Sequence, residues 1–240
     1  MKRPAQLLLR IGPYVIALVV LAVLRQSGLA QMVDLTFYDL IISRKAAPSG
    51  LDSPITLIGI EERDIQRYGW PIDDGLFCRG IDSLRSGGAS AIGFDLYRDQ
   101  GVGPEQQCLR DRFRDEPTLV SIFNVAAGIP AVPGTPAERQ SYNDLSLDAD
   151  GVLRRDLVHV TGQDEATVSF AMRVMEVATG DRSIRESIDA GTDDDHWLTA
   201  DAGGYHDEAD AGLGLQRMLM YRQLGSYRRP FLEDRVTTEL

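Results

Sequence analysis

The residues best placed to do chemistry are carboxylates at the ends of apolar runs. Glu61 and Glu62 close the run Ile55 to Ile60, and Asp95 closes a second run that begins at Ala89. In parallel α/β sheets ligands bind outside the carboxyl ends of strands, so Glu61 and Asp95 can converge on one crevice. Carboxylates placed together there can bind a cation, accept hydrogen bonds from a ligand, or share a proton. The same side chains can instead cap the helices that follow, or pair with Arg63, Arg67 or Arg98. Trp70 lies between Gly69 and Pro71, a rigid aromatic turn that either packs a corner of the fold or stacks on a ligand. Arg154 and Arg155 follow Asp150-Gly151, and either face an anion or are neutralised by Asp148 and Asp156. The candidate ligand-binding set is therefore Glu61, Glu62, Asp95, Trp70, Arg154 and Arg155.

Other chemistries find no support in the spacing. With Gly151 at position six of a calcium loop, Asp148 and Asp150 fall at positions three and five. Ser146 then occupies position one and Leu157 position twelve, where a bidentate Glu is required. The stretch reads as a hairpin turn. No G-x-S-x-G elbow, P-loop or HExxH helix is present, and His159, His196 and His206 lack metal-site spacing. No catalytic residue, metal or cofactor is assigned, and the chain is read as a non-enzyme.

These side chains need a scaffold. Ile55–Ile60 reads as a buried strand, Asp73–Arg85 as a helix stopped by Gly87-Gly88, and Ala89–Leu96 as a second strand. Strand, helix, strand at this spacing is a βαβ unit with a right-handed crossover. Pro104–Arg114 reads as a helix, Leu119–Val125 as a third strand, and residues 126–144 as a long loop. After the turn, VLRRDLVHV reads as a strand exposed on one side. Val168–Ala178 is an amphipathic helix, and Leu213–Tyr221 is ambiguous between helix and strand. Cys78 and Cys108 can form a disulfide, or Cys78 can serve as a small buried hydrophobe.

Ahead of all this stands MKRPAQLLLRIGPYVIALVVLAVL, a basic, apolar leader whose run from Ile11 to Leu24 carries no charge. Its preceding positive charges would keep the amino terminus in the cytoplasm. The leader reads as an uncleaved transmembrane anchor, with a signal peptide cut near Gly28-Leu29-Ala30 as the rival; either exports residue 35 onward. The expected fold class is thus α/β, a mostly parallel sheet with βαβ units and a later antiparallel hairpin, preceded by one N-terminal transmembrane helix. A formal net charge of −11 over 240 residues argues against nucleic acid and anionic lipid surfaces. The acidic runs DDDH (193–196) and HDEAD (206–210) read as solvated loops.

Several segments, in order, resemble a known module: DLTFYDLIISR (34–44), PITLIGIEERDIQRYGWP (54–71), GGASAIGFDLYRD (87–99), DADGVLRRDLV (148–158), VSFAMR (168–173) and LMYRQLGSYR (219–228). Together they resemble the second type of CHASE domain, an extracytoplasmic sensory module associated with cyclases and histidine kinases. Asp73-Asp74 departs from the Arg that the resemblance implies soon after GWP. The resemblance also implies a further apolar strand, then transmembrane helices and an output domain, none of which precedes VTTEL. The expected organisation is an anchor over 1–32 and a sensory domain over 33–240 lacking its C-terminal strand. The expected function is the periplasmic input domain of a bacterial-type receptor on the inner membrane, with an unidentified ligand. A homodimer is left open. The alternative is a stand-alone envelope interaction protein that modulates a membrane partner.

Overall fold

The computed structural model describes residues 3–26, 31–44, 54–125, 127–145, 147–148, 150–160, 168–183, 186, 198–199, 214–219 and 221. Two helices lead the chain, α1 (Arg3–Gln26) and α2 (Gln31–Arg44). Then come α3 (Glu62–Tyr68), α4 (Asp74–Ser86), β1 (Ile92–Phe94), α5 (Gln106–Asp115) and β2 (Leu119–Phe123). A short 3-10 turn (Ala137–Arg139) leads into β3 (Gln140–Tyr142), followed by β4 (Arg155–Val160), α6 (Phe170–Thr179), β5 (Leu198–Thr199) and β6 (Gly214–Met218).

Strands β1, β2 and β3 form a parallel sheet in that order, with Ile92 opposite Leu119 and Ser121 opposite Gln140. Parallel neighbours cannot be joined by a tight hairpin, and α5 supplies the crossover from β1 to β2. Helices α4 and α5 cover one face. There Phe94 stacks edge-on against Phe77 and Phe113, with ring centroids 5.1 and 5.4 Å apart. Helix α6 covers the other face so closely that a Cβ on Gly93 would lie 2.5 Å from Phe170. Buried on both sides, β2 is an apolar run whose one polar residue, Ser121, accepts from the Val132 backbone N–H at 3.0 Å.

Local sequence sets the helix limits. The Asp73 carboxylate accepts from Gly75 N–H at 2.7 Å to start α4, and Ser169 plays the same part for α6. Helix α6 ends at Gly180, whose φ of 70° is the left-handed conformation of a helix stop. Cys78 on α4 and Cys108 on α5 are joined by a disulfide, with Cα atoms 6.4 Å apart.

A second sheet, β4-β6-β5, is antiparallel. It joins the first through Tyr142, whose hydroxyl donates to the Leu157 carbonyl, and through Ser169, which bridges to Tyr142 and donates its backbone N–H to the Val158 carbonyl of β4.

Several expectations change. No helix among the described residues is long and apolar enough to cross a membrane, which overturns the N-terminal transmembrane helix. Ile55–Ile60 is not a strand. It is extended chain with isolated bridges at Thr56 and Gly59, so the βαβ unit is β1–α5–β2 instead. The turn at Asp150-Gly151 exists, but among the described residues no hairpin of strands forms around it, because β4 takes β6 as its partner while β3 pairs with β2. The loop read over 126–144 contains β3, and the ambiguous segment near the end is a strand over Gly214–Met218. Both acidic runs and the cleavage site at 28–30 lie outside the described residues.

The disulfide closes a loop of 30 residues, which by chain entropy contributes roughly 3–4 kcal/mol. Replacing both cysteines by serine is expected to lower the melting temperature by about 10 °C in circular dichroism. Dithiothreitol should do the same to the parent chain, and a melt indifferent to both treatments would contradict the bridge.

Candidate functional site

Because β1, β2 and β3 run parallel, their carboxyl ends share one edge. The residues that follow them gather there: Asp95 after β1, Asn124 after β2, Asn143 and Asp144 after β3. Asn143 Nδ2 donates to Asp95 Oδ1 at 2.5 Å, and Asn124 Nδ2 to the Tyr97 hydroxyl at 2.9 Å. Asp144 accepts from the backbone N–H of Val125 at 2.9 Å. Exposed Tyr97, Val125 and Leu145 flank these polar groups. Polar groups and exposed apolar side chains thus lie side by side at this edge, and a few placed polar groups among apolar ones are what fixes a small ligand.

Asp95 differs in its partner from several buried or half-buried carboxylates of the described residues. Asp82 is paired with Arg112, Glu116 with Arg85, Asp74 with Arg98 and Asp148 with Arg154 and Arg155. Asp95 has the neutral Asn143, and no cation pairs with it among the described residues. Much of its residue surface is open, yet neighbouring atoms crowd the carboxyl. Desolvation therefore pushes its pKa up, opposed by the Asn143 hydrogen bond. A carboxylate left in this condition can accept hydrogen bonds from a ligand or meet a ligand cation. No group of three or more His, Cys, Asp or Glu among the described residues is placed to hold a metal ion.

The other sequence candidates lie elsewhere. Glu61 begins α3, where Asp64 reaches back to accept from its backbone N–H at 2.8 Å. Glu62, in the first turn, accepts from Gln66 at 3.2 Å. Trp70 is 61% exposed at the turn into α4. Asn124, Asn143, Asp144 and Tyr97 escaped the sequence reading. The one available signal was their place directly after strands, and β3 itself was not legible.

Arg154 and Arg155 face carboxylates of their own chain. Arg154 is 3% exposed. Its guanidinium forks onto Asp39 of α2 at 2.9 and 2.7 Å and onto Asp150 at 2.8 and 2.7 Å, and also reaches Asp148 at 2.8 Å. Arg155 Nε holds the other oxygen of Asp148 at 3.1 Å. These hydrogen bonds hold the Asp39 carboxyl below its ordinary range and bring Asp150 down to about 2. Nearby, the Tyr38 hydroxyl donates to the Leu219 carbonyl, tying α2 to the end of β6.

The sequence pattern of the CHASE2 domain family matches residues 16–237. The chain belongs to this family. CHASE2 domains are extracytoplasmic sensory domains, so the expectation drawn from DLTFYDLIISR, PITLIGIEERDIQRYGWP and GGASAIGFDLYRD holds at the level of the family. Comparison with curated proteins and with solved structures finds no match. Within this CHASE2 domain the family match covers both the carboxyl edge and the Arg154 cluster.

The two carboxylate environments titrate with opposite sign. Folded Asp39 and Asp150 bind protons less tightly than the unfolded chain. Their contribution to stability is present above the ordinary carboxylate pKa of about 3.9 and is lost as pH falls towards 2. Folded Asp95 binds its proton more tightly, so its penalty exists at neutral pH and is relieved on acidification. Asp95→Asn is therefore expected to leave the melting temperature at pH 7 unchanged or slightly raised. Arg154→Ala releases exposed Asp39 and Asp150 while buried Asp148 keeps Arg155, and is expected to lower stability clearly more than Asp95→Asn does. Denaturant titration of both variants checks the pair, and a large loss for Asp95→Asn would show that carboxylate to be structural.

Proposed function

We propose that this chain is the extracytoplasmic input domain of a signalling receptor of the cell envelope. In this reading it detects a small ligand at the carboxyl edge of β1, β2 and β3. The observation that carries the reading is the CHASE2 family match over residues 16–237. The edge supports it with a ligand-sized set of polar groups, Asp95, Asn124 and Asn143, beside the exposed ring of Tyr97. The disulfide between Cys78 and Cys108 supports the compartment, since such bonds persist where the surroundings are oxidising. A ligand can shift such a domain only through a difference in affinity for its two states. The element through which the shift leaves the domain is α2, which lies at its amino-terminal side and is held by side-chain bonds to Arg154 and Leu219.

Fusion of alkaline phosphatase after Leu240 tests the placement, because that enzyme becomes active only after export. Activity in intact cells is the expected outcome. Fluorescence from a matched cytoplasmic reporter fusion, with no phosphatase activity, would overturn the extracytoplasmic reading.

A further inference from the structure

Helix α2 rests on the domain with little apolar packing. Leu35 is its buried apolar side chain, at 5% exposure, whereas Val33, Phe37, Leu40 and Ile41 are 42–64% exposed. Its attachment is polar: the fork between Asp39 and Arg154, and the bond from Tyr38 to Leu219. Arg154 does not belong to α2 or to the strand edge. It precedes β4, and its backbone carbonyl accepts from Leu219 N–H at 2.8 Å. Its remaining hydrogen bonds go to Asp148 and Asp150, in the turn that the chain enters after leaving the crevice at Asn143 and Asp144. That turn is itself closed, with Asp148 N–H bonded to the Val152 carbonyl at 3.0 Å and Gly151 N–H to the Asp148 carbonyl at 2.7 Å. One guanidinium therefore joins the helix to the segment that carries crevice residues.

We propose that Arg154 is a latch, a positioning residue through which the crevice controls whether α2 is docked. A shift of Asn143 moves the segment leading to Asp148 and Asp150. These carboxylates and Asp39 compete for a fixed number of guanidinium N–H groups, so a change in the first two alters the grip on α2. A planar fork has few satisfactory arrangements, which makes docking a two-state property. Weak apolar packing leaves α2 free to leave once the fork opens, without disturbing the core around Phe94. The placement of the signal rests on the sensory reading above; the latch itself rests on the hydrogen bonds alone.

Amide hydrogen exchange on the full chain, read by mass spectrometry over residues 31–44, tests this. Asp39→Asn removes the charge and one of the two acceptors of the helix arm and leaves Arg154 bonded to Asp148 and Asp150. It is expected to speed exchange over 31–44 by about 10-fold, since hydrogen bonds to charged groups outweigh neutral ones. Peptides covering β1 and β2 should exchange as in the parent. Asp82→Asn, which breaks the fork between Asp82 and Arg112 on α4 and α5, serves as the control and should leave 31–44 unchanged. Asn143→Ala is the crevice probe, expected to speed 31–44 severalfold in the parent and to add nothing in the Asp39→Asn background. Unchanged exchange in Asp39→Asn, no response to Asn143→Ala, or additive effects of the two would each overturn the latch. Failure of export in the phosphatase fusion would instead remove the sensory reading and leave the latch standing.

Discussion

Parallel pairing of β1, β2 and β3 constrains everything else in this domain. A parallel strand cannot return by a tight turn, so each crossover must travel the length of the sheet; α5 makes the first, and the second runs through the 3-10 turn before β3. Helices α4 and α5 close one face and α6 the other, leaving β2 without solvent on either side. The strand ends are then where polar groups can gather without crossing the core. This geometry collects Asp95, Asn124 and Asn143 although 48 residues separate the first from the last.

Charged groups inside the domain follow a second rule. Arg139, Arg154, Arg155 and Arg173 are each at most 7% exposed, and removing such groups from water is costly unless hydrogen bonds replace hydration. The planar guanidinium meets this demand by forking. Arg139 donates to the Glu116 and Arg114 carbonyls at the end of α5, and Arg173 pairs with Glu176 one turn along α6. These arginines fix relative positions of elements more than they add stability, since buried pairs often do no better than apolar side chains of similar volume.

What was legible in the sequence was mostly local. The helix read over Asp73–Arg85 appears at Asp74–Ser86, and the strand read from Leu119 appears there, because caps and apolar periodicity act over a few residues. Ile55–Ile60 has strand composition, but among the described residues it carries only isolated bridges, at Thr56 and Gly59. Strand β3 reads Gln-Ser-Tyr, too short and too polar to announce itself; its pairing is dictated by β2. The same limit governs the candidate site. Asp95 was visible as an acid after an apolar run, whereas Asn143 was hidden in a supposed loop. Neutralisation of Arg154 by Asp148 was foreseen as an alternative, but its partner Asp39 lies 115 residues away, beyond any local pattern. The supposed membrane span illustrates the converse, since the apolar run drawn from sequence did not yield, among the described residues, a helix both long and apolar enough to cross a membrane.

The contact between Gly93 and Phe170 has a mechanical meaning. A strand backbone pressed against an aromatic ring, with no side chain between them, leaves no clearance for sliding. Helix α6 and the sheet must move as one block. The disulfide ties α4 to α5 on the opposite face, which stiffens that side as well. Little compliance remains inside the layered body, and deformation is driven outward to its margins. The body acts as an anvil, and the freedom of the molecule lies in what is fastened to it.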